Sequence, residues 1–271
     1  MRGNHVIAEA AVRAGCRCYF GYPITPQNEL PEYMSRRMAE VEGGTFIQSE
    51  SEIAAINMLL GASAAGARAM TSSSSPGISL KQEGISYLAC CELPAVIVNM
   101  MRGGPGLGNI APSQADYFQA TKGGGHGDYR LIVLAPASCQ ELADLTMEAF
   151  DLADIYRTPV MVLGDGMMGQ MMEPVEFRYV PRKNLPPKDY ILDGAKGRPR
   201  RITRSLILDV EQMEAHNWKL FRKYEEIERK EVRYEEMMME DAKMVLVAYG
   251  TAARIAKGAM KRMRREGLKV G

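Results

Sequence analysis

Cysteine is scarce in this chain and poorly spaced for metal chemistry. The five, Cys16, Cys18, Cys90, Cys91 and Cys139, form no C-x2-C pair and no C-x2-C-x2-C run. This excludes the usual ligand patterns of zinc and iron–sulfur sites and leaves buried free thiols as the expectation. An excess of one charge is also missing: 34 Lys and Arg stand against 33 Asp and Glu, a net charge of +1. Composition therefore calls for neither nucleic acid nor an anionic membrane as partner. No apolar run approaches the ~20 residues of a spanning helix. The opening MRGNHVIAEAAVRAG has no apolar h-region followed by a cleavage site, so the cytoplasm is the default compartment. There are three histidines and one tryptophan in 271 residues. Methionine, by contrast, is abundant at 20, which suits gap-filling in tight cores and interfaces.

Over the first 165 residues, short β-rich apolar runs alternate with longer segments of helical period, the mark of a parallel α/β sheet. Strands are expected over 17–21, 45–48, 68–71, 95–101, 131–134 and 160–163. Helices are expected over 4–14, ended by Gly15, then from Pro26 to about 40, 50–65, 78–90 and 139–156. Residues 72–77 read as a turn. From 173 to about 204 the texture turns to Pro, Gly and charge, an excursion over the surface or onto a partner. Residues 211–241 read as one solvated helix carrying i,i+4 charge pairs and Trp218, which would be buried on a partner. KMVLVAY, 243–249, reads as a strand, followed by a basic helix over 252–266 and the start of another strand. The division expected is 1–172, 173–241 and 242–271, the last the beginning of a domain that continues in a longer chain or is completed elsewhere.

Four clusters could carry chemistry. In GYPITP, 21–26, two prolines stiffen a loop that offers Thr25 at the carboxyl end of a strand, where open α/β sheets bind ligands. A plain strand-to-helix turn would give the same letters. In QSESEIAAINMLLGASAAG, 48–66, Glu50 and Glu52 open an apolar helix. They are either favourable charges behind an N-cap Ser51 or include a partly buried acid for proton chemistry. TSSSSPG, 71–77, is a strand followed by small hydroxyl residues. NMMRGGPGLGN, 99–109, ends an apolar strand on Arg102, whose planar fork could seat a carboxylate bidentately; a salt bridge to a neighbouring acid is the ordinary alternative. Gly164-Asp165-Gly166 has the letters that begin a diphosphate and metal motif. It lacks a well-placed late oxygen ligand, with only Asn184 downstream in a Pro-rich tract, so no metal site is expected on this chain. His126 lies in GGGHGD, 123–128, as a loop residue of the site or simple turn chemistry.

GNHVIAEAAVRAGC, GYPITPQNELPEYM, ESEIAAINMLLGASAAGARAMTSSSSPGISL, NMMRGGPGLGNIAPSQADYFQATKGGGHGDYRLIVLAP and GDGMMGQMMEPVEF together resemble the thiamine-dependent 2-oxoacid:ferredoxin oxidoreductases. The likeness is nearest to the pyrimidine-domain subunit of the branched-chain, 2-oxoisovalerate type and runs from Gly3 to about Phe177. It implies a parallel-sheet thiamine diphosphate-binding fold, with the start of a transketolase C-terminal-like α/β domain from Lys243. It also implies a glutamate that hydrogen-bonds the cofactor's aminopyrimidine and favours its imino tautomer. The glutamate, eight residues, then glycine register selects Glu52 with Gly61, and Glu50 is the runner-up. The resemblance assigns the 2-oxoacid to Thr25 and Arg102, and a loop along the cofactor to Ser75 and Gly77.

By the same resemblance, this chain holds only the pyrimidine end of thiamine diphosphate. Mg2+ and [4Fe-4S] clusters would sit on partner domains or subunits: a diphosphate-domain subunit, a gamma-type subunit and a ferredoxin-like subunit. The implied reaction is oxidative decarboxylation of a 2-oxoacid to acyl-coenzyme A and CO2 with reduction of ferredoxin, carried out only in the complex. 2-Oxoglutarate, pyruvate or indolepyruvate in place of 2-oxoisovalerate remain open as substrates, as does a non-catalytic assembly role.

Overall fold

The structure, a computed structural model, describes residues 1–178, 180–182 and 185–271; Asn184 lies outside the described residues. Six strands form one wholly parallel sheet in the order β2-β1-β3-β4-β6-β5. They are β1 (Cys18–Gly21), β2 (Thr45–Gln48), β3 (Ala69–Ser73), β4 (Ala95–Met101), β5 (Ile132–Leu134) and β6 (Pro159–Asp165). AVIVNMM lies between β3 and β6 and is buried along its whole length, as a strand covered on both faces must be. Its side chains divide with period two. Val96, Val98 and Met100 join one core, with residues of α1 (Gly3–Arg13), α2 (Glu29–Arg37) and α6 (Cys139–Tyr156). Ile97 and Met101 join the other, under α3 (Glu52–Ala64) and α4 (Ser75–Cys90). Four methionines on strands, Met70, Met100, Met101 and Met161, fill these cores. All five cysteines are free, and burial pushes the Cys16 thiol up to about 12.

Most expected elements are present, and the departures have local causes. The second helix does not start at Pro26. That carbonyl accepts from the side chains of Asn4 (3.0 Å) and Gln170 (3.2 Å), while the Leu30 N–H turns back to Gln27 (2.9 Å). The helix begins at Glu29, with Pro31 in its first turn, where a missing N–H is harmless. The expected turn over 72–77 is not a turn. Ser72 and Ser73 finish β3, Ser74 is the N-cap, and Ser75-Pro76-Gly77 is the first turn of α4. Serine runs suit loops, but here each serine backbone continues a ladder or opens a helix. Two short helices come unannounced, α5 (Tyr117–Lys122) and α7 (Gly166–Gln170), both too short to show a period.

Beyond Gln170, α8 (Val210–Glu231) stops ten residues before the expected end. It lies on the segments that lead into β4 and β6. His216 Nε2 bonds the Cys90 carbonyl (2.9 Å), Lys223 reaches Glu92 (3.2 Å) and Arg157 O (3.1 Å), and Tyr156 donates to Glu231 (2.8 Å). The face carrying Trp218 and Phe221 is left about half exposed. Residues 243–249 do not form a strand. Among the described residues they make one parallel bridge, Met244 to Val270, with Val247 almost fully exposed, and a single bridge is not a ladder. The basic helix α9 (Gly250–Arg265) is held to the sheet domain by Arg254 on Glu173 (2.6 Å) and Gln114 on Tyr249 O (2.8 Å). Among the described residues no helix is long and apolar enough to cross a membrane.

Candidate active site

The chain passes from β1 outward to β2, then back across to β3 on the other side of β1. That reversal opens a crevice at the carboxyl ends of the strands, where α/β sheets seat ligands. Residues that follow four of those strand ends were singled out from the sequence: Thr25 after β1, Glu52 after β2, Ser75 and Gly77 after β3, and Arg102 after β4.

Glu52 is the first residue of α3. Ser51 caps that helix by accepting from the Ala54 N–H (3.2 Å). This fixes which carboxylate turns inward. Glu50 precedes the cap and is exposed, beside the Ser51 hydroxyl, whereas Glu52 is 6% exposed. Among the described residues no donor bonds the Glu52 carboxylate and no cation pairs with its oxygens. A buried carboxylate without partners is costly and is the kind of acceptor that a ligand donor would satisfy. Gly77 lies against it. A Cβ built on Gly77 would stand 2.7 Å from Glu52 Oε1 and 2.0 Å from Ser73 Oγ. The missing side chain is what leaves the carboxylate its place. For the thiamine diphosphate that the sequence resemblance implies, Gly77→Ala should displace Glu52 and weaken binding by about tenfold or more, roughly 1.4 kcal/mol, read by calorimetric titration of the protein assembled with its partners. Unchanged affinity would remove Gly77 from the site.

Two residues before Gly77, Ser75 starts a second chain of contacts. Its hydroxyl donates to Asp116 Oδ2 (2.6 Å) and accepts from the Arg102 backbone N–H (3.0 Å). Asn99, the one polar residue of β4, accepts from Ser75 N (3.1 Å) and donates to the same Asp116 oxygen (3.0 Å). The Arg102 guanidinium is held by carbonyls and a hydroxyl. Nη1 donates to Thr25 O (3.0 Å) and Thr25 Oγ1 (3.3 Å), and Nη2 donates to Leu107 O (2.7 Å). Nε is buried and unpartnered. Among the described residues no carboxylate pairs with Arg102, so the ordinary salt bridge is absent. A mostly buried, uncompensated cation beside an exposed threonine hydroxyl is suited to a small anion.

The structure therefore joins Glu52 to Gly77, and Ser75 to Arg102 to Thr25, with Ser75 and Gly77 on one helical turn. Gly61 faces open space and contributes no visible contact. His126 is exposed, in a loop that packs its glycines on Gln82 of α4. Asp165 caps α7, accepting from Met167 and Met168 N–H (3.0 Å each). Its helix-capping role accounts for the GDG letters, and the described residues contain no group of three metal-ligating side chains.

Four residues were missed. Asn99 and Asp116 organise the second chain. Gln27 is fully buried, accepts from Ser72 (2.5 Å) and leaves its Nε2 unpartnered. Lys81 is fully buried one turn after Gly77, with Nζ 3.4 Å from the Glu52 carbonyl. Asn99 had a signal, an amide in an otherwise apolar run. Lys81 had only its i+4 spacing from Gly77, and a lone lysine on a helix ordinarily faces water.

The site fits an aminopyrimidine. Such a ring offers a nitrogen and an amine to Glu52 and to the unpartnered buried hydroxyls of Ser73 and Ser74, over a floor that a Cβ at 77 would fill.

The family described as "Pyruvate flavodoxin/ferredoxin oxidoreductase, thiamine diP-bdg" matches residues 9–251. The chain is 54% identical to ketoisovalerate oxidoreductase subunit VorB of Methanothermobacter marburgensis, across all of this chain and 77% of that protein. It is 38% identical to 2-oxoglutarate synthase subunit KorA of Methanothermobacter thermautotrophicus, across all of this chain and 79% of that one. Among solved structures, a 2-oxoglutarate:ferredoxin oxidoreductase from Magnetococcus marinus, with 2-oxoglutarate, coenzyme A and succinyl-CoA bound, matches with a TM-score of 0.88 at 28% identity. The match covers all of this chain and 52% of that one, so the present chain spans about half the length of that solved chain.

Proposed function

The chain belongs to the pyruvate flavodoxin/ferredoxin oxidoreductase thiamine diphosphate-binding family, and on that footing we propose that it is the pyrimidine-holding subunit of a 2-oxoacid:ferredoxin oxidoreductase selective for 2-oxoisovalerate. The observation that carries the reading is the Glu52 carboxylate, buried without a donor among the described residues against Gly77, with the uncompensated Arg102 bonded to Ser75 on the same turn of α4. Thiamine diphosphate, when bound, supplies the carbon nucleophile and electron sink that let a 2-oxoacid lose CO2. This chain's residues do the rest of the work at their end of the cofactor. Glu52 holds the proton shared with the ring nitrogen that faces it. Ser75 and Gly77 line the ring. Arg102 binds the substrate carboxylate, and Thr25, hydrogen-bonded to Arg102, orients the carboxylate or the adjacent carbonyl.

In this reading residues 1–172 are the pyrimidine domain, 173–241 a linker with its helix, and 242–271 the opening of a transketolase C-terminal-like domain. The diphosphate and Mg2+ belong to a diphosphate-domain subunit. The [4Fe-4S] clusters on partner domains or subunits pass electrons to ferredoxin, gamma-type and ferredoxin-like subunits complete the complex, and coenzyme A takes the acyl group. The cytoplasm, where these soluble carriers meet, is the assigned compartment. The substrate preference rests on the 54% identity to a subunit named for ketoisovalerate against 38% to one named for 2-oxoglutarate. Rates of the reconstituted complex on 2-oxoisovalerate, 2-oxoglutarate, pyruvate and indolepyruvate test it. 2-Oxoisovalerate should lead in kcat/KM by about tenfold, roughly 1.4 kcal/mol of discrimination, and equal values would sink the preference.

A further inference from the structure

Lys81 has no role in the mechanism above, yet among the described residues it is the one lysine placed at full burial. It sits on the stripe of α4 that faces α3. Gly77, Lys81 and Gly84 follow at i, i+4 and i+7, and the space over the two glycines is taken by Glu52 and Ile56 of α3. Between them the lysine stem runs to the first turn of α3, ending 3.4 Å from the Glu52 main-chain carbonyl. Among the described residues no carboxylate oxygen lies within ion-pair distance of Nζ, and that carbonyl is its one hydrogen-bond partner. A dry site with a single long hydrogen bond favours the neutral amine, and nothing in helix packing requires a lysine where leucine or methionine would fit.

We propose that Lys81 is a positioning residue for the cofactor glutamate: a buried amine, set between α3 and α4 against the main chain of Glu52, whose gain or loss of one proton changes the field at the cofactor end of α3. The proposal rests on the assignment of Glu52 given above. The proton exchanged comes from solvent, with no change of oxidation state. With Lys81 protonated, the cation and the negative charge of Glu52 attract one another. With Lys81 neutral, that attraction is lost and the field at the ring-facing end of Glu52 changes. Burial lowers the Lys81 amine to about 7, with the field of Glu52 opposing that drop. Among the described residues Glu52, from α3, is the one charged group that contributes. The elements otherwise packed against Lys81 bring it no other ionisable partner among the described residues. The switch therefore falls near neutral pH.

The test uses the assembled complex with thiamine diphosphate bound. Exchange of the thiazolium C2 proton for deuterium is followed by NMR of the acid-quenched cofactor from pH 5.5 to 8.5. Cofactor affinity is measured by calorimetry on the same preparations. The wild-type exchange profile should show an inflection near pH 7. Lys81→Met, fixed neutral, should lack it and hold the high-pH plateau. Lys81→Arg, fixed cationic, should lack it and hold the low-pH plateau, several-fold apart from Lys81→Met. Cofactor affinity should stay within about threefold in both, as a structural lesion would not allow. If both variants keep the wild-type inflection, or if both lose exchange and affinity together, Lys81 is a packing residue and the proposal fails. If Glu52→Gln leaves exchange at the wild-type rate, the assignment of Glu52 itself fails, an outcome distinct from either of those.

Discussion

Glu52→Gln in the assembled enzyme should lower 2-oxoacid-dependent acceptor reduction by about a hundredfold or more, roughly 3 kcal/mol of barrier. The amide keeps the shape of the side chain and its acceptor oxygen but cannot hold a transferable proton. The structure makes the substitution mild for folding. The carboxylate has no donor among the described residues and the Ser51 cap is made by another residue, so the chain loses no hydrogen bond. Thiamine diphosphate should still bind, within about tenfold, and the loss should fall on kcat. Glu50→Gln is the internal control. That side chain is exposed and precedes the cap, and its replacement should leave rate and affinity unchanged. Equal losses from the two substitutions would mean that burial has misdirected the assignment. Retained activity in Glu52→Gln would end it.

Arg102→Leu should reduce kcat/KM for the 2-oxoacid by about a hundredfold or more, since hydrogen bonds to a charged group contribute roughly 1.5–3 kcal/mol each and the fork offers more than one. The effect should appear mainly in KM. Arg102→Lys should recover part of it, because a lysine restores charge without the bidentate geometry. Thiamine diphosphate affinity and the C2 exchange rate should be little changed, which separates a substrate residue from a cofactor residue. Both readouts falling together would instead indicate that Arg102 holds the loops. Its donors tie Thr25 to Leu107.

The sheet was legible in the sequence because a parallel strand buried on both faces leaves a run such as AVIVNMM, and the helices between strands kept their period. Thr25, Glu52, Ser75, Gly77 and Arg102 were legible because each follows a strand and belongs to a motif with a recognisable order. Their convergence was not. It depends on the strand order, which places the third strand beside the first. Where the reading failed, a local bond outweighed a local preference. Asn4 and Gln170 took the Pro26 carbonyl that a helix would have used. TSSSSPG had the composition of a loop but the backbone of a strand and a helix start. KMVLVAY had the composition of a strand, but found a single bridging neighbour. Lys81 was invisible for a different reason: burial of a lysine is a property of the contact between α3 and α4, which no single segment encodes.

The most direct test of the central claim is reduction of a viologen dye by the reconstituted complex, with 2-oxoisovalerate and coenzyme A, with and without thiamine diphosphate. Reduction that requires both the 2-oxoacid and the cofactor is the predicted result. A complex that binds the cofactor yet reduces the dye with none of the 2-oxoacids would contradict it and leave this chain a non-catalytic assembly subunit.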